Sequence, residues 1–148
     1  MTEPGTPHPL RRVEAVAKLN HAGVRCGVLV APVLPGLSDR PDQLEAVVKA
    51  CVEAGATSIA PIMLHLRPGV RDQYLGWLGT ARPDLIEQYK RLYPKSYAPR
   101  STQDELATLV RNLVIKHGGR VVEPRQTRDV KAAKPKRRAQ PEQLGLKL

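Results

Sequence analysis

The sequence predicts an α/β fold with parallel strands, and three observations carry that expectation. An amphipathic stretch, an Ala-Gly pair and a short apolar run occur twice in succession, as LNHAGVRCGVLV (Leu19–Val30) and as VEAGATSIAPIML (Val52–Leu64). The two glycines, Gly23 and Gly55, lie 32 positions apart, close to the length of one βα unit. The first apolar run, Val24–Val33, is near-continuous instead of alternating, as expected for a strand covered on both faces. Glycine fits this pattern because a helix often stops in a left-handed turn just before a buried strand begins.

The elements follow in order. Pro4–Pro9 is too rich in proline for helix or strand and reads as a rigid loop. A helix is expected from about Leu10 to Ala22, with Leu10, Val13, Val16, Ala17 and Leu19 recurring at helical spacing toward a core. Val24–Val33 reads as the first strand, closed by the turn Pro35-Gly36-Leu37-Ser38-Asp39, whose Ser and Asp are placed to cap the next helix. That helix should run from about Pro41 to Ala54 with Leu44, Val47, Val48 and Cys51 inward. Ser58–Leu66 is the second strand. Pro61 interrupts it and marks an edge or a bulge, because proline cannot donate to a ladder.

Beyond Arg67-Pro68-Gly69, helical segments are expected over Val70–Gly79 and Pro83–Leu92, then a linker over Tyr93–Arg100. Ser101 is placed to cap a longer helix with Leu106, Leu109, Val110, Leu113 and Val114 on one face, ending at Lys116, His117 and Gly118-Gly119. Val121-Val122 is a candidate for brief strand pairing. From Glu123 onward the composition is charged and poor in apolar residues, which predicts disorder. No strand precedes the first helix, so the chain is expected to be an α/β architecture without its front portion.

At 148 residues, with 41% apolar residues, no Phe and one Trp, the chain is long enough for one domain with a real core. The longest apolar runs, such as Gly27–Leu34, fall well short of the roughly 20 residues that span a bilayer. With no secretory leader pattern at the N-terminus, a cytoplasmic location is expected. Cys26 and Cys51 make neither a disulfide framework nor a zinc site by themselves and read as small core residues. The net charge is +10, and residues 124–148 hold eight Lys/Arg against Asp129 and Glu142. That basic tail, densest over Lys131–Pro141, could meet nucleic-acid phosphates with a steep salt dependence, or act only as a solubilising segment. It has no interleaved aromatics for base stacking.

In parallel α/β sheets, sites form at the C-terminal ends of strands. That rule singles out Ala31–Asp39 and Leu64–Arg71, the second supplying His65, Arg67 and Arg71. A guanidinium can grip two oxygens of a carboxylate or phosphate. The same arginines could equally be solvated or paired with acids such as Asp72, and His65 could be a satisfied strand-end residue. No Gly-rich phosphate loop, HExxH or GxSxG pattern is present.

EPGTPHP (Glu3–Pro9), RRVEAVAKLNHAGVRCGVLVAPVLPGLSD (Arg11–Asp39) and AGAT…LHLRPGVR…WL (Ala54–Leu78) together resemble the later part of radical S-adenosylmethionine (radical SAM) proteins. The closest resemblance is to the branch similar to spore photoproduct lyase, described as DNA repair photolyase-like, and it covers roughly residues 3–95. It implies the C-terminal part of a partial (βα)6 TIM-like barrel, to which the pattern and composition read above add a helical C-terminal extension and a disordered basic tail. The corresponding domains are 1–80 for the barrel part, 81–122 for the extension and 123–148 for the tail.

The family's cofactors are a 4Fe-4S cluster and S-adenosylmethionine, whose reductive cleavage gives a 5′-deoxyadenosyl radical. The CxxxCxxC loop that ligates the cluster is absent here, and Cys26 and Cys51 match neither its spacing nor its place. The resemblance places Val30, Ala31, Pro32, Leu64, His65 and Leu66 on the adenine side of S-adenosylmethionine, while Arg67 and Arg71 stay candidates for substrate or anion binding on the strand-end argument above. It sets Glu3 just past a missing strand. The chain is therefore expected to be inactive alone and to need a separate N-terminal half carrying the cluster loop. The alternative expectation is a small basic nucleic-acid-binding or adaptor module.

Overall fold

Helix α1 spans Pro9–His21 and starts where proline's fixed φ and missing N–H cost nothing, at the first helical positions. The His8 ring accepts the Leu10 N–H at its N-cap. The helix ends at Ala22, and Gly23 follows at φ +79°. The computed structural model describes residues 5–121; Glu3, Val122 and the basic tail lie outside the described residues.

After Gly23 the chain does not enter the sheet at once. The Asn20 amide holds the connection instead: its Oδ1 accepts the Cys26 N–H at 3.0 Å and its Nδ2 donates to the carbonyls of Cys26 and Val16. Strand β1 therefore begins at Val28, not Val24, and runs to Val33. Helix α2 (Pro41–Glu53), strand β2 (Ile59–Met63) and helix α3 (Arg71–Ala81) follow. A single 3-10 turn at Pro83–Leu85 leads into α4 (Ile86–Leu92), and α5 (Arg100–Lys116) closes the described fold.

The parallel α/β expectation holds, since β1 pairs with β2 in parallel with Val28 opposite Ile59 and Leu29 opposite Ala60. The register slips between Val30 and Val33, beside the proline that β2 carries at Pro61. The expected partial (βα)6 barrel is overturned. Among the described residues the sheet has two strands and there are five α-helices, so this is a small α/β domain. Two strands cannot curve into a barrel wall. Here α5 lies against β2 and α2, and the shared core is built by helices instead of by further strands.

That core unites Val33 and Met63 from the strand ends, Leu44 and Val48 of α2, Leu78 of α3, Tyr89 and Tyr93, and Leu106, Val110, Leu113 and Val114 of α5. In a chain without Phe, stacked Tyr89 and Tyr93 supply the bulk, both fully buried.

Other expectations are corrected by the same arrangement. No residue of α1 is buried, and Leu10 and Leu19 are exposed, because this helix touches little besides α2. Among the described residues the sheet is covered on one face only, which leaves Leu29 66% exposed. Val47 points outward and Cys26 is half-buried. Ser38 and Asp39 do not cap α2. Their side chains turn back to accept the N–H groups of Leu34 and Gly36, and so fold the turn itself. Nor does Ser101 cap α5, which starts one residue earlier behind Pro99. Val121 forms no strand.

Candidate functional site

The parallel pairing brings the C-terminal ends of both strands to one edge of the molecule. The Leu64 N–H donates to the Val33 carbonyl at 3.0 Å, so the segment after β2 continues directly beside the end of β1. Val33 and Leu64, far apart in sequence, thus adjoin, while Val30 lies opposite Pro61. Val30 is half-buried against the core, Ala31 and Pro32 are exposed, and the peptide bond between those two is cis. A largely apolar groove of about 460 Å³ opens here, walled by Val30–Val33 on one side and by Leu44, Ala46 and Val47 of α2 on the other, with Ser38 and Gln43 at its polar margin.

The second segment divides by alternation. Leu66 is buried in the core, while His65 and Arg67 face away from it. The His65 ring packs edge-on against Tyr97, with centroids 4.6 Å apart. Arg71 turns to the backbone. Its Nη1 donates to the carbonyls of Tyr93 at 2.6 Å and Lys95 at 3.3 Å, fastening the loop after α4 to the start of α3. Arg67 is exposed, and neither arginine pairs with Asp72 among the described residues. Sequence reasoning missed Lys95 and Tyr97, whose one signal was an aromatic set between Pro94 and Pro99 in a chain with four Tyr and one Trp.

An iron–sulfur cluster finds no fit in this set. Among the described residues no group of three or more His, Cys, Asp or Glu stands close enough to hold a metal ion. Cys51 is buried on α2, where desolvation pushes its thiol up and disfavours the thiolate that ligation needs. Cys26 sits ahead of β1, at the opposite end of the strand from the groove. The apolar groove itself has room for a planar ring such as adenine. Among the described residues, no helix is long and apolar enough to cross a membrane.

The chain is 37% identical over 116 residues to an uncharacterized protein of Mycobacterium tuberculosis and, to the same extent, to one of Mycobacterium bovis. The match covers 78% of this chain and 34% of each relative. An uncharacterized protein of Acidianus two-tailed virus is 34% identical over 76 residues, which is 49% of this chain and 25% of the viral protein. The chain therefore spans about a third of the length of the mycobacterial relatives it matches. No family model and no solved structure matches.

Proposed function

We propose that this α/β domain is the S-adenosylmethionine-facing portion of a radical SAM enzyme, working in the cytoplasm and only together with polypeptide that brings the cluster-binding cysteines. The observation that supports the reading is the junction at Val33 and Leu64. It joins the end of β1, whose Val30–Val33 walls an apolar groove, to Leu64 after β2, and the sequence resemblance assigns Val30–Pro32 and Leu64–Leu66 to the adenine side. In this reading the domain's own residues bind and orient. The walls from Val30 to Val33 and Val47 shield one face of a purine from water, and the outer edge of β1, without a strand partner among the described residues, offers backbone donors and acceptors to its rim. The cysteines of this chain hold no cluster, so the electron-transfer chemistry belongs to the partner polypeptide.

The test is joint expression with the part of the mycobacterial relative that lies outside the match. S-adenosylhomocysteine binding and anaerobic cluster uptake are then measured for the joint preparation and for this chain alone. The joint preparation should take up a cluster and bind the ligand, and Val47→Trp, which fills the groove, should weaken that binding. Cluster assembly on this chain alone, or a joint preparation that takes up neither, overturns the reading.

A second reading, a small basic nucleic-acid-binding or adaptor module, draws on the net charge of +10. It requires DNA or RNA binding, steep in salt, that survives deletion of residues 124–148. Those residues lie outside the described structure.

A further inference from the structure

The two segments that meet beyond β2 build a surface that the groove does not use. The Leu66 N–H donates to the Ser96 carbonyl at 2.8 Å, and His65 meets Tyr97 ring to ring. Residue 65 thus lies by 97 and residue 66 by 96, so the two segments run antiparallel. With Leu66 buried, the alternating neighbours His65 and Arg67 face outward, as do Lys95 and Tyr97 on the facing segment. Arg71 fixes this pair of segments through the carbonyls of Tyr93 and Lys95. The result is a braced patch with two aromatic rings toward one end and two cations toward the other.

Two features bear on what the patch can bind. Tyr97 leaves 49% of its area in water although the chain has few aromatics to spend. Arg67 and Lys95 have no acidic partner among the described residues, so both charges are free to meet an anion.

We propose that this patch binds one nucleotide unit, its base stacked on Tyr97 and its phosphate held by Arg67 and Lys95. An exposed ring braced by a second ring is a stacking platform that any base can use. The guanidinium fork and the ammonium supply charge-assisted bonds to phosphate oxygens. The unit can come from a free nucleotide or from an unpaired strand, and the chemistry is shared. The inference does not rest on the S-adenosylmethionine reading, and a probe without adenine keeps the two separate.

The full chain is titrated with cytidine 5′-monophosphate, with a short oligocytidylate and with inorganic phosphate. Affinity is read by calorimetry and location by the amide shifts of Leu66 and Ser96. Tyr97→Ala should weaken the cytidine ligands about tenfold and leave phosphate unchanged, and Tyr97→Phe should retain wild-type affinity. The double variant Arg67→Gln, Lys95→Gln, confined to exposed side chains, should weaken all three probes, and it keeps the test decisive if Tyr97→Ala fails to fold. Binding of the mononucleotide supports a free-nucleotide source, and binding of the oligomer alone, with the same dependence on Tyr97, supports a strand. Oligomer binding that ignores all these substitutions, or no shift at Leu66 and Ser96, overturns the proposal.

Discussion

The Tyr89 hydroxyl donates to the Pro35 carbonyl at 2.9 Å across 54 residues of sequence, in a fully buried contact. It also lies 3.1 Å from the Tyr74 hydroxyl, so one phenol ties α4 to α3 and to the turn that leaves β1. That turn carries Ser38 at the groove margin, and the tie therefore sets the position of one groove wall. Burial and the neighbouring phenol together push the Tyr89 hydroxyl far up, so it stays protonated and donating at all ordinary pH.

Tyr89→Phe should destabilise the fold by about 1–3 kcal/mol, because the Pro35 carbonyl is left buried without its donor. Urea unfolding should show a lower midpoint at unchanged m. A loss indistinguishable from zero would mean that the Pro35 carbonyl finds another donor.

Tyr93 makes the opposite case. It stacks on Tyr89 with centroids 5.7 Å apart, yet its buried hydroxyl has no hydrogen-bond partner among the described residues. Desolvation pushes that hydroxyl up to about 12. Replacing it with Phe removes an unpaired polar atom and keeps the ring, so Tyr93→Phe should be neutral or stabilise by up to about 1 kcal/mol in the same urea titration.

Gly36 sits in the same turn at φ +74°, where an added Cβ would also meet Leu85 Cδ2 at 2.9 Å. Gly36→Ala combines backbone strain with a packing clash and should cost about 2 kcal/mol. Gly69, at φ +85° with open space around its missing Cβ, should cost only the backbone share, about 1 kcal/mol. Equal losses at the two positions would show that Leu85 yields without penalty.

These contacts show which parts of the fold could be read from sequence and which could not. Local signals were legible: helical spacing placed Leu44 and Val48 of α2 and Leu106, Val110, Leu113 and Val114 of α5 on the buried side. Pro61 foretold the irregular pairing of β2. Global closure was not legible. A parallel βαβ step is compatible with a barrel and with a two-stranded layer, and only the packing of α5 across β2 decides for the latter. The periodicity of α1 was equally silent on whether any partner covers Leu10 and Leu19, since periodicity gives a face and not its neighbour. At the candidate site, strand-end logic found His65, Arg67 and Arg71, but Arg71 is spent on the carbonyls of Tyr93 and Lys95. Tyr97 reaches His65 through a loop contact that no local pattern encodes.

The two cysteines should differ sharply in reactivity. Cys51 is buried and its thiol is pushed up by desolvation, whereas Cys26 is half-buried. Titration of the native protein with a disulfide reagent should therefore show one fast thiol, lost in Cys26→Ser, and one that reacts only on unfolding. Two fast thiols would show that α2 opens readily and would remove the burial argument against thiolate ligation at Cys51.

The last prediction concerns the tie between α2 and α5. Glu45 Oε1 accepts from Lys116 Nζ at 2.6 Å and stands 3.0 Å from His117 Nε2. The bond from Lys116, then that from His117, holds the Glu45 carboxyl below its ordinary value of 4.5. A carboxyl depressed in the folded state contributes stability that is fully present above its unfolded value and disappears as pH falls through its folded one. Glu45→Gln should thus be less stable than the parent at neutral pH, and the gap should close as pH drops below 4.5. Lys116→Met should narrow the same window, because Lys116 is the larger cause of the depression. Both variants are followed by urea midpoints across an acid pH series at fixed ionic strength. A gap that stays constant into acid would mean that Glu45 works through packing against α5 and not through its charge.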